Sequence, residues 1–202
     1  MPLSKNRLKY FRTLHQKKYR QEEQLFIVEG EKPLLELMHA QASWEVVFWG
    51  LTAYFIEKYE KILPKQLTYE LISPDELHQL STLENQKGGI AVVQMPTQTP
   101  IVPQENAYII ALDNIQDPGN LGTILRLADW YGFPKVVCSE NCVEVYNPKT
   151  ILASMGSFLR VQTFYTNLPA YLLENKNFTV LGAVMQGENL HKATLPKGGI
   201  LV

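Results

Sequence analysis

Residues 108–133 read YIIALDNIQDPGNLGTILRLADWYGF, and the fold follows from how they divide. Tyr108–Leu112 is a short apolar run with β-branched residues, the pattern of a buried strand. It runs into Asp113, Asn114, Asp117, Pro118, Gly119 and Asn120, residues that favour turns by bonding their own backbone or by fixing φ. From Leu121 the spacing becomes helical: Leu121, Ile124, Leu125 and Leu127–Ala128 recur at three and four residues. Gly132 stands where a helix C-cap is expected, with Pro134 soon after it. The stretch is strand, polar turn, helix, with Asn120 and Arg126 projecting from the turn and the first helical turns. Such a loop points free backbone N–H groups past the strand end and suits an anion. A polar βα turn also recurs throughout α/β folds, and there Arg126 is an ordinary surface arginine.

Working outward, the spacing predicts a strand over 135–139, a helix over 147–155, a strand over 159–165, a helix over 168–175, a strand over 178–185 and a last apolar run at 198–202. That alternation implies a mostly parallel sheet covered on both faces. Upstream, a basic helix spans 3–20, strands fall at 25–28, 44–49, 67–72 and 90–95, and helices at 32–40 and 53–62. A further helix starts at Ser73 with Pro74 at its first position and acids at 75 and 76. These elements make a small α/β sandwich. Between the halves, MPTQTPIVPQEN holds Pro96, Pro100 and Pro103 without helical periodicity, as an extended, semi-stiff linker does. Three parts result: a first domain over 1–95, a Pro-rich linker over 96–106 and a second domain over 107–202.

At 202 residues and 46% hydrophobic, the chain buries a real core. No apolar run approaches the ~18 residues of a membrane span, so a soluble cytoplasmic protein is expected. Cys138 and Cys142 lack the four-ligand set of structural zinc and read as ordinary reduced thiols; no metal is expected. Net charge is −1, but Lys5, Arg7, Lys9, Arg12, Lys17, Lys18 and Arg20 all precede the first acid, Glu22. A basic arm on an acidic body points to a polyanion partner. Tyr10, Phe11 and Tyr19 lie among the cations, which favours RNA: aromatic rings stack on bases while cations hold phosphates.

The pattern N-x-G-x-x-x-R at Asn120, Gly122 and Arg126, preceded by LDNIQDPGN, resembles the first signature of the SpoU-type (TrmH-like) RNA 2′-O-ribose methyltransferases. NPKTILASMGSFLRV, with Ser154 and Gly156, is similar to that family's next segment, and the N-terminal KYFRTLHQKKYRQEEQLFIVEGEKPLLEL resembles the RNA-binding domain that many members carry. The resemblance implies a trefoil-knot α/β fold, S-adenosylmethionine as cofactor, rRNA or tRNA as substrate, and a homodimer formed through the second domain. No G-x-G-x-x-G follows the first strand of that half, so a dinucleotide-type geometry is not expected. The sequence ends in KGGILV, which resembles the start of the family's second motif; the third motif has no counterpart. The expectation is therefore a methyltransferase domain incomplete at its C-terminus, binding the cofactor poorly.

The reaction so implied is displacement by a ribose 2′-oxygen on the sulfonium methyl. Arg126 matches the family's catalytic position. Making a guanidine neutral near pH 7 costs roughly 7 kcal/mol, so a cation that holds phosphate and stabilises oxyanion charge is the expected role. Asn120 either orients the ribose or caps the helix. Leu181, Gly182, Ala183, Met185 and Gly187, at a strand end and its loop, are the expected cofactor contacts, the glycines permitting close backbone approach. Two other readings stay open: an RNA-binding protein of this family without catalysis, and a nucleotide-binding α/β protein using the Asn120 loop for phosphate.

Overall fold

The computed structural model describes residues 2–40, 43–189 and 192–202. Two helices, α1 (Lys5–Thr13) and α2 (Lys17–Glu23), precede a four-stranded mixed sheet. Its strands are β1 (Leu25–Glu29), β2 (Val46–Leu51), β3 (Glu70–Leu71) and β4 (Gly89–Gln94), in spatial order β1-β4-β2-β3. Strand β4 runs antiparallel to both neighbours, and β3 joins β2 in parallel. Three helices connect them: α3 (Glu31–His39), α4 (Ala53–Tyr59) and α5 (Pro74–Leu80). The second sheet holds β5 (Tyr108–Leu112), β6 (Lys135–Ser139), β7 (Gln162–Thr166), β8 (Val180–Leu181) and β9 (Gly199–Leu201), ordered β7-β6-β5-β9-β8. All its pairings are parallel. Its helices are α6 (Pro118–Trp130), α7 (Pro148–Ser154) and α8 (Leu168–Glu174), with a short 3₁₀ turn at Ser157–Leu159.

Alternation along the strands sorts side chains into three apolar layers. Phe26 and Val28 of β1 and Ala91 and Val93 of β4 face a central layer, where they meet Leu121, Leu125 and Ala128 of α6 and Ile151 of α7. Val136 and Cys138 of β6 enter the same layer from the other sheet. Ile27, Ile90 and Val92 point away, onto Leu3, Phe11 and Leu14 of the arm and Leu77 and Leu80 of α5. On the far side of the second sheet, Ile109, Ala111 and Val137 pack on Leu168, Tyr171 and Ile101. The two sheets therefore share their middle core. Phe26 stacks on Tyr146 at 4.4 Å between ring centroids, which ties β1 directly to the second half.

The expected basic helix over 3–20 divides into α1 and α2. Leu14 must reach the interior, and α1 ends there; Arg20 Nη1 donates to the Leu14 carbonyl at 2.8 Å, satisfying a group the helix end leaves free. The expected strands at 67–72 and 178–185 shrink to the pairs Glu70–Leu71 and Val180–Leu181, because each lies at a sheet edge and pairs on one side only. The helix expected over 53–62 stops at Tyr59, where Leu63 N–H turns back to the Tyr59 carbonyl. Residues 96–103 have no regular structure, yet they do not hang free. Gln98 and Thr99 bond β7 through Tyr165 N–H and Gln162, and the Tyr171 hydroxyl donates to the Ile101 carbonyl at 3.0 Å.

Ion pairs add two further ties across the halves. Arg20, 1% exposed, pairs with Glu144. Arg160 clasps both carboxylate oxygens of Asp129 and reaches Glu36 at 2.7 Å. Arg160 holds the Asp129 carboxyl below the usual range, and Lys32 followed by Arg160 does the same for Glu36.

Gly122 fixes how closely α6 meets α7. A Cβ there would lie 2.5 Å from Ala153 Cβ and 2.8 Å from the Thr150 carbonyl oxygen, atoms that cannot swing away. Helix propensity alone favours alanine by about 1 kcal/mol, but overpacking against backbone costs about 1–3 kcal/mol and outweighs it. Gly122→Ala is expected to lower unfolding stability by about 1–2 kcal/mol in denaturant titrations. A variant as stable as the wild type would show that the contact yields.

Candidate functional site

In the second sheet the chain leaves β5 toward β6 and β7, then crosses to place β9 and β8 on the other side. The strand order reverses between β5 and β9. In open parallel sheets the crevice outside the carboxyl ends of strands at such a reversal receives ligands. Here that end is built by the turn after Leu112, by Val202 after β9 and by the loop after Leu181.

The turn is pinned from the side. Asn114, at φ 53°, donates its N–H to Ser139 Oγ at 2.9 Å, and Ile115 N–H reaches Cys142 Sγ at 3.2 Å. Val143 N–H returns to the Ile115 carbonyl at 2.8 Å. Both cysteines are buried free thiols, and Cys142 serves this turn through its sulfur. The helix cap is Asp117, whose carboxylate accepts the Asn120 N–H at 2.7 Å, and Pro118 follows at the first helical position. The capping role considered for Asn120 thus belongs to Asp117. This leaves the exposed Asn120 amide without a hydrogen-bond partner among the described residues.

Arg126 lies six residues further along α6, about 9 Å along the axis and about 120° around it. The two side chains are not brought together. Arg126 is exposed and has neither ion pair nor hydrogen bond among the described residues. It lines a cavity of about 680 Å³ with Lys32, Glu36, Asp129, Trp130 and Arg160. Glu36 and Asp129 are already matched by Lys32 and Arg160, so Arg126 is the uncompensated charge of this groove. Beside it lie Trp130, 84% exposed, and Tyr131, 69% exposed, on the same helix end. The composition of the stretch gave no sign of this apolar face, since Trp130 sits one residue outside the buried helical stripe.

Leu181, Gly182, Ala183, Met185 and Gly187 follow the edge strand β8. Ala183 N–H bonds the Val202 carbonyl at 2.9 Å, which places this loop at the carboxyl end of the sheet with the β5 turn. Leu181 is half-buried, and Gly182, Ala183, Met185 and Gly187 are exposed. A Cβ at Gly182 would meet only Val184, at 3.9 Å. The loop is an open apolar shelf.

Of the seven arm cations, Lys5, Lys9, Arg12, Lys17 and Lys18 are exposed. Arg7 is engaged by Glu70 at 2.8 Å, with its guanidinium carbon 4.9 Å from the Phe48 ring centroid. Arg20 is buried against Glu144 and cannot meet a phosphate in this fold, which corrects its place among the expected RNA contacts. The reason is distance in sequence: its acid lies 124 residues away. Among the described residues no group of three or more His, Cys, Asp or Glu could hold a metal, and no helix is long and apolar enough to cross a membrane.

Comparison with known proteins gives two family matches. Residues 107–202 match the SpoU rRNA Methylase family, and residues 5–91 match the MRM3-like substrate binding domain. A chain from Porphyromonas gingivalis assigned to the TrmH family of RNA methyltransferases superposes with a TM-score of 0.83 at 32% identity, over 98% of this chain and 79% of that one. The chain belongs to the SpoU (TrmH-like) methyltransferase family. It is 27% identical over 186 residues to the 23S rRNA (guanosine(2553)-2′-O)-methyltransferase RlmP of Bacillus subtilis, covering 89% of this chain and 71% of that one. It spans between 35% and 71% of the length of these two curated relatives, RlmP and a mitochondrial rRNA methyltransferase 3A of Danio rerio. The AdoMet-bound rRNA methyltransferase of Sinorhizobium meliloti shares the fold, with a TM-score of 0.80 at 21% identity over 100% of this chain and 79% of that one.

Within the SpoU signature the residues divide by task. Gly122 serves packing of α6 on α7. Ser154 is buried, donating to the Ile151 carbonyl, and Gly156, at φ 98°, leaves room for Glu36, whose Cγ would lie 2.5 Å from a Cβ there. Asn120 and Arg126 face outward. SpoU methyltransferases bind S-adenosylmethionine. In the loop after β8 a Cβ at Gly187 would lie 3.0 Å from Val184 Cγ2, so only Gly182 has open space beside it. 

The arm generates a direct test. Deleting it would strip Leu3, Phe11 and Leu14 from the core, so substitution is the sounder change. Replacing Lys5, Lys9, Arg12, Lys17 and Lys18 with glutamine is expected to flatten the log–log salt dependence of RNA binding by up to about 3.5. An unchanged slope would make the arm a solvated face.

Proposed function

We propose that this chain acts as an S-adenosylmethionine-dependent RNA methyltransferase on a ribose 2′-hydroxyl of rRNA or tRNA. In this reading residues 1–95 hold the RNA, 96–106 join the halves and 107–202 carry the chemistry, in the cytoplasm where both thiols stay reduced. The observation that carries it is Arg126: an unpaired guanidinium, presented by a capped helix that starts at the sheet's reversal point.

The roles follow from position. Arg126 grips a phosphate beside the target ribose through its planar fork and stabilises charge on the 2′-oxygen as its proton leaves. That proton passes to a phosphate oxygen or to water. Asn120, its amide free, orients the ribose from the neighbouring turn. Leu181, Gly182, Ala183, Met185 and Gly187 hold the cofactor's apolar parts. S-adenosylmethionine, when bound, supplies the electrophilic methyl group. Lys5, Lys9, Arg12, Lys17 and Lys18 hold RNA phosphates on the first half. A homodimer formed through the second half belongs to this reading. A monomer in sedimentation at micromolar concentration would contradict that dimer.

Arg126→Ala is expected to lower methyl transfer to rRNA by about 10²–10³-fold. Arg126→Lys keeps charge but loses the fork, and its rate should fall between alanine and wild type, with cofactor affinity unchanged in all three. Thermal unfolding should not move, since Arg126 makes no hydrogen bond or ion pair among the described residues. A lysine variant matching wild type at high pH would instead make residue 126 a base. RNA binding with no transfer by a wild-type chain that also binds S-adenosylmethionine would leave the non-catalytic reading.

A further inference from the structure

A second, separate cavity lies on the small sheet, at the end where β2 and β3 run into α4 and α5. It encloses about 670 Å³ between Pro2, Ala53, Tyr54, Leu71 and Pro74, with Lys87 at its rim. This volume falls within the range of sites that hold small molecules. Leu71 is 58% exposed and Tyr54 42% exposed, apolar surface that the core does not use. Tyr54 is nonetheless held: Lys58 Nζ donates to its hydroxyl at 3.0 Å and is itself anchored on Glu31 at 2.7 Å. A fixed ring stacks without first losing rotational freedom.

We propose that this cavity takes an unstacked nucleobase of an RNA strand whose phosphates lie along Lys5, Lys9 and Arg12. The proposal rests on the reading of the arm as an RNA surface and adds to it a site for one base. Charge decides which part of a nucleotide enters. Glu76 lines the cavity, and its two oxygens already accept the Leu3 N–H at 2.6 Å and the Ser73 N–H at 2.7 Å. A carboxylate repels phosphate and leaves an uncharged ring as the fitting occupant. Continuity decides where the phosphates go. Helix α5 begins at the cavity with Pro74 and carries Gln79, which lines a shallow cleft with Lys5, Lys9 and Arg12. Those five residues of helix span about 7.5 Å, so one short strand reaches both places. None of the three cations has an ion-pair partner among the described residues.

The test uses the whole chain and two fluorescent probes, a short oligoadenylate and an abasic strand of equal length, followed by anisotropy. Wild type should bind oligoadenylate about tenfold more tightly than the abasic strand, the scale of one base stacked on an aromatic ring. Tyr54→Ala and Leu71→Ser should each bring the ratio close to one, while Tyr54→Phe, which keeps the ring but loses the Lys58 anchor, should give a ratio between one and the wild-type value. Replacing Lys5, Lys9 and Arg12 with glutamine should weaken both probes alike and leave the ratio unchanged. Both variants of the cavity retaining the wild-type ratio, or a wild-type ratio of one, overturns the base site while the arm still holds RNA. If neither probe binds, the RNA reading of the arm falls and the base site falls with it.

Discussion

Everything on the functional side of the molecule depends on the approach of α6 to α7 at Gly122. A missing Cβ lets the backbones close to a distance at which any side chain would overlap Ala153 and the Thr150 carbonyl. That approach turns Leu121, Leu125 and Ala128 onto the middle core and leaves Asn120, Arg126 and Trp130 outside. The same core is walled on its other side by β1 and β4, so the position of Arg126 is set by packing that both halves share. Hydrophobic burial provides the bulk of the stabilisation here, since it scales with area and this layer draws on both sheets.

Electrostatics add orientation rather than bulk. Arg20 and Arg160 each cross from one half to the other, one buried and one at the surface. A buried pair contributes little net stability but is costly to break, by about 3–5 kcal/mol, because a lone charge would remain inside. The Arg160 clasp also neutralises the acids of its groove, which leaves Arg126 free to meet an external anion. On the first half, Lys5, Lys9 and Arg12 of α1 line a cleft with Gln79 of α5, and α5 begins at the apolar cavity, so a polyanion held by those cations would also find a place for an uncharged ring.

The change of hydrophobic period at Leu112–Leu121 made β5, its turn and α6 legible, because a strand and a helix cannot share one spacing. Gly122 was visible as part of a motif, whereas its steric task needed Ala153, which no local pattern supplies. Choosing between Asp117 and Asn120 as cap required backbone geometry, since both are good turn and cap residues three positions apart. The arm's charge was plain, yet Arg20 belongs to an ion pair with a residue far along the chain, and Leu3, Phe11 and Leu14 show that the arm is also core. Edge strands β3 and β8 were overestimated for a physical reason: β-branched sequence promotes extension, but ladder length is set by the neighbour. The groove around Arg126 and the cavity at Tyr54 were invisible, because each is lined by residues from several elements.

Cross-linking an rRNA fragment substituted with 4-thiouridine to the whole chain, followed by peptide mass spectrometry, addresses the placement of RNA most directly. Contact at both surfaces should yield adducts within Asn120–Trp130 of α6 and within the exposed face of α1. Adducts confined to α8 and the β7 edge, with none on α6, would contradict the assignment of Arg126 and the β5 turn to the RNA-facing site.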